Sequence, residues 1–291
     1  MNATQKAYLQ LHTAVLLFGL TGVLGDVIDL PKTTLTWWRM GLATLGLLVL
    51  PGLFAKIKAI PLRVRWQMVG IGGIIAAHWV TFFGGIALTN ISVALACMAT
   101  ASFFTALVEP LLLPRKVRWF ELALGLFVVP GIYFIQDSTD FGFWGVVVSL
   151  TSALLAAVFS TLNKKVATAH DTRAATVLEL GAGFLILTVL LPVFYAVEPE
   201  GRFLPQGWDL LWLLILALAC TSFAFVISLA ALRELSTFTV NLSINLEPIY
   251  SILLAFVLFQ EHKEVEWTFY LGAGMIIAAV ACYPLLQRRF S

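Results

Sequence analysis

The sequence predicts an all-α membrane protein of ten transmembrane helices, arranged as two inverted five-helix repeats. Three observations predict it. Of the 291 residues, 60% are apolar and only 12% are charged, too little polar surface to cover a soluble globule. Apolar runs of about 20 residues, enough to cross a hydrocarbon core of about 30 Å, can be placed ten times along the chain. The pattern then repeats after five runs. An odd number of crossings inserts the second copy upside down relative to the first, an arrangement that recurs in secondary transporters.

Taken in order, the first run covers residues 8–28 and follows the polar start Met1 to Lys6. Its length and its pairing with the sixth run favour a retained span over a cleaved signal peptide. Run two, 33–53, carries Arg39 and closes on Pro51; run three, 66–87, contains His78 among aromatic residues. Run four, 91–113, follows Ala87-Leu88-Thr89-Asn90-Ile91-Ser92, and run five, 119–136, opens on Trp119. Run six, 142–162, leads into Asn163-Lys164-Lys165, and run seven, 174–195, carries Glu179 and closes on Pro192. Runs eight, nine and ten cover 209–232, 237–259 and 268–286, with Glu247-Pro248 near the middle of run nine. The longest connection, from Val197 to Trp208, leaves no room for a soluble domain. The two copies divide as residues 1–138 and 139–291.

The basic residues give the orientation. With the amino terminus inside, Lys6, Lys56, Lys58, Arg63, Arg65, Arg115, Lys116, Arg118, Lys164, Lys165, Arg173, Arg233, Arg288 and Arg289 fall on one side. The other side receives Lys32, Arg202 and Lys263, together with Asp26, Asp29, Asp137, Asp140, Glu198, Glu200 and Asp209. The positive-inside rule therefore places both termini in the cytoplasm. The same rule accounts for the basic loops without nucleic acid as a partner. Trp37, Trp38, Trp66, Trp119, Trp144, Trp208 and Trp267 lie near span ends and read as interfacial anchors.

Matching residues support the duplication. Arg39-Met40-Gly41 in run two stands against Glu179-Leu180-Gly181 in run seven, and Ala87-Leu88 to Ser92 stands against Ala231-Leu232 to Ser236. Ser102 precedes Arg115 by the interval that separates Pro248 from Glu261. The run from Gly145 to Val166, closing on Asn163-Lys164-Lys165, and the stretch from Leu246-Glu247-Pro248 to Phe259-Gln260-Glu261 resemble second-half motifs of the EamA-like branch of the drug/metabolite transporter superfamily. Arg39 and the Ala87 to Ser92 stretch resemble its first-half motifs. This resemblance covers nearly the whole chain. It implies ten helices in two inverted bundles, a central substrate cavity lined by both halves, and small organic metabolites as cargo, commonly amino acids moved outward. The first half departs from the pattern, with Ser102 in place of the proline and Arg115 in place of the loop glutamate.

Charges inside a bilayer cost about 2.5 to 3.5 kcal/mol each on insertion scales, so they should face protein or water. Arg39 and Glu179 occupy equivalent places and read as coupling charges or as structural ones; Glu109 and Glu121 flank the basic loop and read as structural. Glu247 lies beyond snorkelling reach. Pro248 beside it removes an N–H and should break the helix near Ile244. Asn241 and Asn245, at i and i+4, share a face with that break. His78, with Trp79 and Phe82, and with Phe159 and Tyr250 at interior depth, offers an aromatic wall with one titratable ring. The expected substrate-facing set is thus His78, Trp79, Phe82, Phe159, Asn241, Asn245, Glu247 and Tyr250. Each has a plain alternative as a helix-packing residue.

Several classes are disfavoured. There is no phosphate-cradling Gly-rich loop with a following Lys, no spaced His/Cys/Asp cluster for a metal, and no lysine within a span to hold a Schiff base. Cys97, Cys220 and Cys282 lie within spans and read as packing residues rather than disulfides. The expectation is a carrier without cofactor or metal, a monomer or homodimer in a bacterial inner membrane, that moves a small amphipathic solute by alternating access. The alternatives are an intramembrane enzyme acting on a lipid-linked substrate, with Glu247 or His78 as acid or base, and a non-transporting membrane subunit.

Overall fold

A computed structural model describes residues 1–89, 91–135, 143–197, 202–250, 253–254 and 267–290. Asn90, Asp137, Asp140, Glu198, Glu200, Lys263 and the Phe259-Gln260-Glu261 motif lie outside the described residues. Every regular element among those described is helical. Helix α1 (Ala3–Val27) opens on a capping box, in which the Asn2 side chain accepts from the Gln5 N–H and the Gln5 side chain accepts from the Asn2 N–H. Helix α2 (Lys32–Leu48) follows Pro31 and stops before Pro51 and Gly52, whose φ of 75° needs a residue without Cβ. Helix α3 (Leu53–Ala59) then turns by 97° and carries Lys56 and Lys58.

Helix α4 (Leu62–Leu88) starts on Pro61 and runs unbroken. The fourth expected span is divided into α5 (Ile91–Ala99) and α6 (Ala101–Leu112) at Thr100. Helices α7 (Trp119–Ile135), α8 (Phe143–Val166) and α9 (Thr172–Val197) follow. The eighth expected span is α10 (Asp209–Ala217), a π-helical segment Leu218–Phe223 and α11 (Ala224–Glu234). In the ninth, α12 (Thr237–Ile244) ends in a turn at Asn245 and Leu246 before helix resumes at Glu247, as the proline at 248 requires. Helix α13 (Trp267–Phe290) is the last.

Six stretches among the described residues are long and apolar enough to cross a membrane: Leu62–Leu88, Val93–Leu112, Phe143–Val166, Thr172–Ala196, Asp209–Glu234 and Tyr270–Phe290. The bent pair α2 and α3 makes a seventh. Of the remaining expected spans, the first coincides with α1. The fifth contains the shorter apolar helix Trp119–Gly131, and the ninth passes into residues outside the description.

The chain divides into two compact units, and neither follows the sequence repeats. One comprises Met1–Ala76 and Val166–Glu234. Within it α1 packs on α11, and α2 packs on α9, α10 and the π segment. Gly72 lies so near α9 that a Cβ would stand 2.2 Å from the Glu179 carbonyl oxygen. Trp37, Trp38, Phe184, Phe203 and Tyr195 form an aromatic cluster at the end of this unit that holds the Arg202 pairs with Asp29 and Asp209. The other unit comprises Ala77–Lys165 and Leu235–Ser291. There α7 packs on α13, α6 and α5, and α12 packs on α6 and α13. Along α8 the small residues Gly145, Ser149, Ala153, Ala157 and Thr161 recur every fourth position and are buried, a stripe that lets neighbouring helices approach closely.

Candidate functional site

All eight residues expected to face substrate fall in the unit built around α8, whereas Arg39 and Glu179 fall in the other. In the α8 unit, His78 is buried, and its Nδ1 lies 3.0 Å from the Ser152 carbonyl oxygen. A carbonyl only accepts, so Nδ1 carries a proton. The Ser152 hydroxyl donates in turn to the His78 carbonyl at 2.8 Å. Phe159 stands 5.4 Å and Phe82 6.5 Å from the imidazole, centroid to centroid. Trp79 is buried in α4, one residue from His78. Phe159, Phe104 and Met98 also pack on Ala101, Ala153 and Ala156, so one face of α8 meets the broken fourth span.

Two turns further along α8 a second polar group appears. Asn241 donates to Thr105 Oγ1 at 2.6 Å and to Ser160 Oγ at 2.8 Å, and Asn245 donates to Ser102 Oγ at 3.4 Å. Ser152 and Ser160 are eight residues apart, about 12 Å along the helix axis. His78 and Asn241 thus meet α8 two turns apart, while Asn245 reaches α6. Glu247 and Tyr250 follow on the resumed helix and are half-buried.

The two broken spans match each other. Thr100, where the fourth span breaks, precedes Ser102 by two residues, as Leu246 precedes Pro248. In the first copy no proline makes the break. The Thr100 hydroxyl instead donates to the Cys97 carbonyl at 2.5 Å and pulls the last turn tight. The Asn245 amide joins the two breaks through Ser102.

In the other unit, the Arg39 Nε donates to Thr221 Oγ1 at 2.6 Å, within the π segment. The Thr221 hydroxyl donates back to the Leu216 carbonyl five residues earlier, and the single Ser222 proton lies between the Ala43 carbonyl of α2 at 2.8 Å and the Ala217 carbonyl at 3.1 Å. Glu179 is fully buried in α9. Glu109 and Glu121 are paired to Arg115, as their place beside the basic loop suggested.

Sequence reasoning missed Ser152, Thr105, Ser160 and Thr221. Serine and threonine occur throughout membrane helices, donating to their own preceding turn. Only the partner across the helix interface distinguishes these four, and that partner is remote in sequence.

The family model of the EamA-like transporter family matches residues 5–136 and again 143–283, which together span most of the chain. A protein known from a crystal structure shares the fold, with a TM-score of 0.81 over 98% of both chains at 18% identity. No curated protein matches the sequence. With two successive matches of one family model and a polar seam inside apolar helices, the chain belongs to the EamA-like transporter family and is a membrane transporter of the drug/metabolite type.

Proposed function

We propose that the protein is a secondary carrier for a small amphipathic metabolite, an amino acid or a solute of similar chemistry, that works by alternating access. The observation that carries this reading is the seam of buried hydroxyl and amide groups at the matched breaks of the fourth and ninth spans, with the His78 imidazole two turns away along α8. Polar groups in an apolar helix bundle are costly unless they serve packing or a polar passenger, and broken helices at mid-depth are where carriers hold cargo. The aromatic neighbours of His78 suit an apolar side chain or a cation. His78, Trp79, Phe82, Phe159, Asn241, Asn245, Glu247 and Tyr250 would contact the cargo, while Arg39, Glu179 and Glu247 would carry coupling or structural charge. Ten inverted spans, export, both termini in the cytoplasm and an inner-membrane location complete the proposal.

The test is flux into liposomes containing the purified protein. Saturable, protein-dependent movement of a radiolabelled neutral amino acid, reduced at least about tenfold in Asn241→Leu, supports the carrier. Absence of flux across a panel of amino acids and amines would refute it.

A further inference from the structure

Asn241 is only 6% exposed, so the direction of its amide matters. Thr105 Oγ1 lies 2.7 Å from the Ala101 carbonyl oxygen, and Ser160 Oγ lies 2.7 Å from that of Ala156. Each hydroxyl has one proton, and each spends it on its own helix backbone. The two oxygens can then only accept. Both face the same end of the Asn241 side chain, so that end must be the NH2, with both hydrogens committed. A flipped amide would set three oxygens together with no proton among them. The carbonyl oxygen Oδ1 is therefore the end left over, and among the described residues no hydrogen bond reaches it.

One turn on, Asn245, also 6% exposed, repeats the arrangement. Ser102 donates to the Ala99 carbonyl at 3.1 Å and accepts from the Asn245 NH2, which again leaves an amide oxygen over. Two neutral acceptors thus stand four residues apart, about 6 Å of helical rise, where α12 passes into its terminal turn. At Asn241 an anion meets no donor, because both amide hydrogens and the Thr105 and Ser160 hydroxyl protons are already used. A group that donates meets two oxygens whose own partners hold them in place.

We propose that Thr105, Ser160 and Ser102 fix the amides of Asn241 and Asn245 as acceptors, and that this pair recognises the hydrogen-bond-donating end of the cargo, an ammonium group or equivalent N–H. Thr105, Ser160 and Ser102 are positioning residues; the two asparagines make the contact. The proposal rests on the carrier reading and names the substrate class of the same site.

The experiment uses four probes of one shape in liposomes bearing the full chain: L-phenylalanine, phenethylamine, 3-phenylpropanoate and N-acetyl-L-phenylalanine. The first two, which keep the ammonium, should move or compete at least about tenfold better than the last two. In Thr105→Val and Ser160→Ala the amide is free to turn, and that ratio should fall toward one even where total flux persists. Saturable flux in which 3-phenylpropanoate equals phenethylamine would overturn the proposal while leaving the carrier intact. Flux of none of the four would remove the carrier reading for this solute class and the proposal with it. Should a variant fail to insert, the wild-type ratio decides alone.

Discussion

Arg115 shows how much one side chain can hold together. One of its guanidinium nitrogens pairs with Glu109 and the other with Glu121, at 2.7 Å for the latter. Glu109 also accepts from the N–H of Thr237 at the start of α12, and Glu121 accepts from the Tyr283 hydroxyl of α13. Burial favours the neutral guanidine, but Glu109 and then Glu121 outweigh it and raise the Arg115 pKa. Replacing it in Arg115→Gln strands two buried carboxylates and should cost about 3 kcal/mol. The check is a lower unfolding midpoint in detergent, partly restored when Glu109→Gln and Glu121→Gln are added. Asp171 is more exposed. Burial alone would raise its pKa, yet Arg173, Lys56 and the Ala174 N–H hold it well below the usual carboxylate range. A depressed carboxylate stabilises the fold fully above its unfolded pKa of about 3.9 and loses that contribution as pH falls toward the folded value. Asp171→Asn keeps the helix cap but not the charge, so it should be about 1 kcal/mol less stable at pH 7. Below about pH 4 the gap should begin to narrow and go on narrowing as the pH falls further, which unfolding midpoints measured from pH 2 to 7 would show.

At the scale of the element, helix α4 offers an internal comparison. Gly72→Ala drives a Cβ against the backbone of α9, where nothing can rotate aside, and should destabilise by about 1 to 3 kcal/mol. Gly70→Ala, two residues away, meets nothing within 4 Å and should be neutral or stabilising by up to about 1 kcal/mol. Paired melting curves would show the opposite signs. The helices themselves were legible because backbone groups in lipid must bond within their own segment, which makes an apolar run of about 20 residues a helix almost by itself. The break at Pro248 was legible for the same local reason. The break at Thr100 was not, since a hydroxyl bond to Cys97 leaves no mark on hydropathy. Nor was the π turn, which wedges one extra residue into an otherwise ordinary span and sets Thr221 against Arg39. Rotation of each helix about its axis stayed hidden too, because spans apolar all round carry no facing signal. The sequence could therefore name His78, Asn241 and Asn245 but not the hydroxyls they bind.

For the whole molecule, the topology implied by the basic residues is directly testable. A single cysteine placed at Arg63 in a cysteine-free background should react with an impermeant maleimide only from the cytoplasmic side, and one placed at Trp208 only from the opposite side. The division into compact units has a further consequence, for biosynthesis. The unit begun by Met1–Ala76 is finished only by Val166–Glu234, and the unit begun at Ala77 is finished only by Leu235–Ser291. The first helices cannot reach their main partners as they leave the ribosome, because α1 packs on α11 and α2 on α9. Helices α1 to α3 must wait in the lipid until α9 to α11 arrive, and the second unit closes last. Gene fragments ending at residue 138 or starting at 139 should each be degraded when made alone, and should accumulate when made together in one cell.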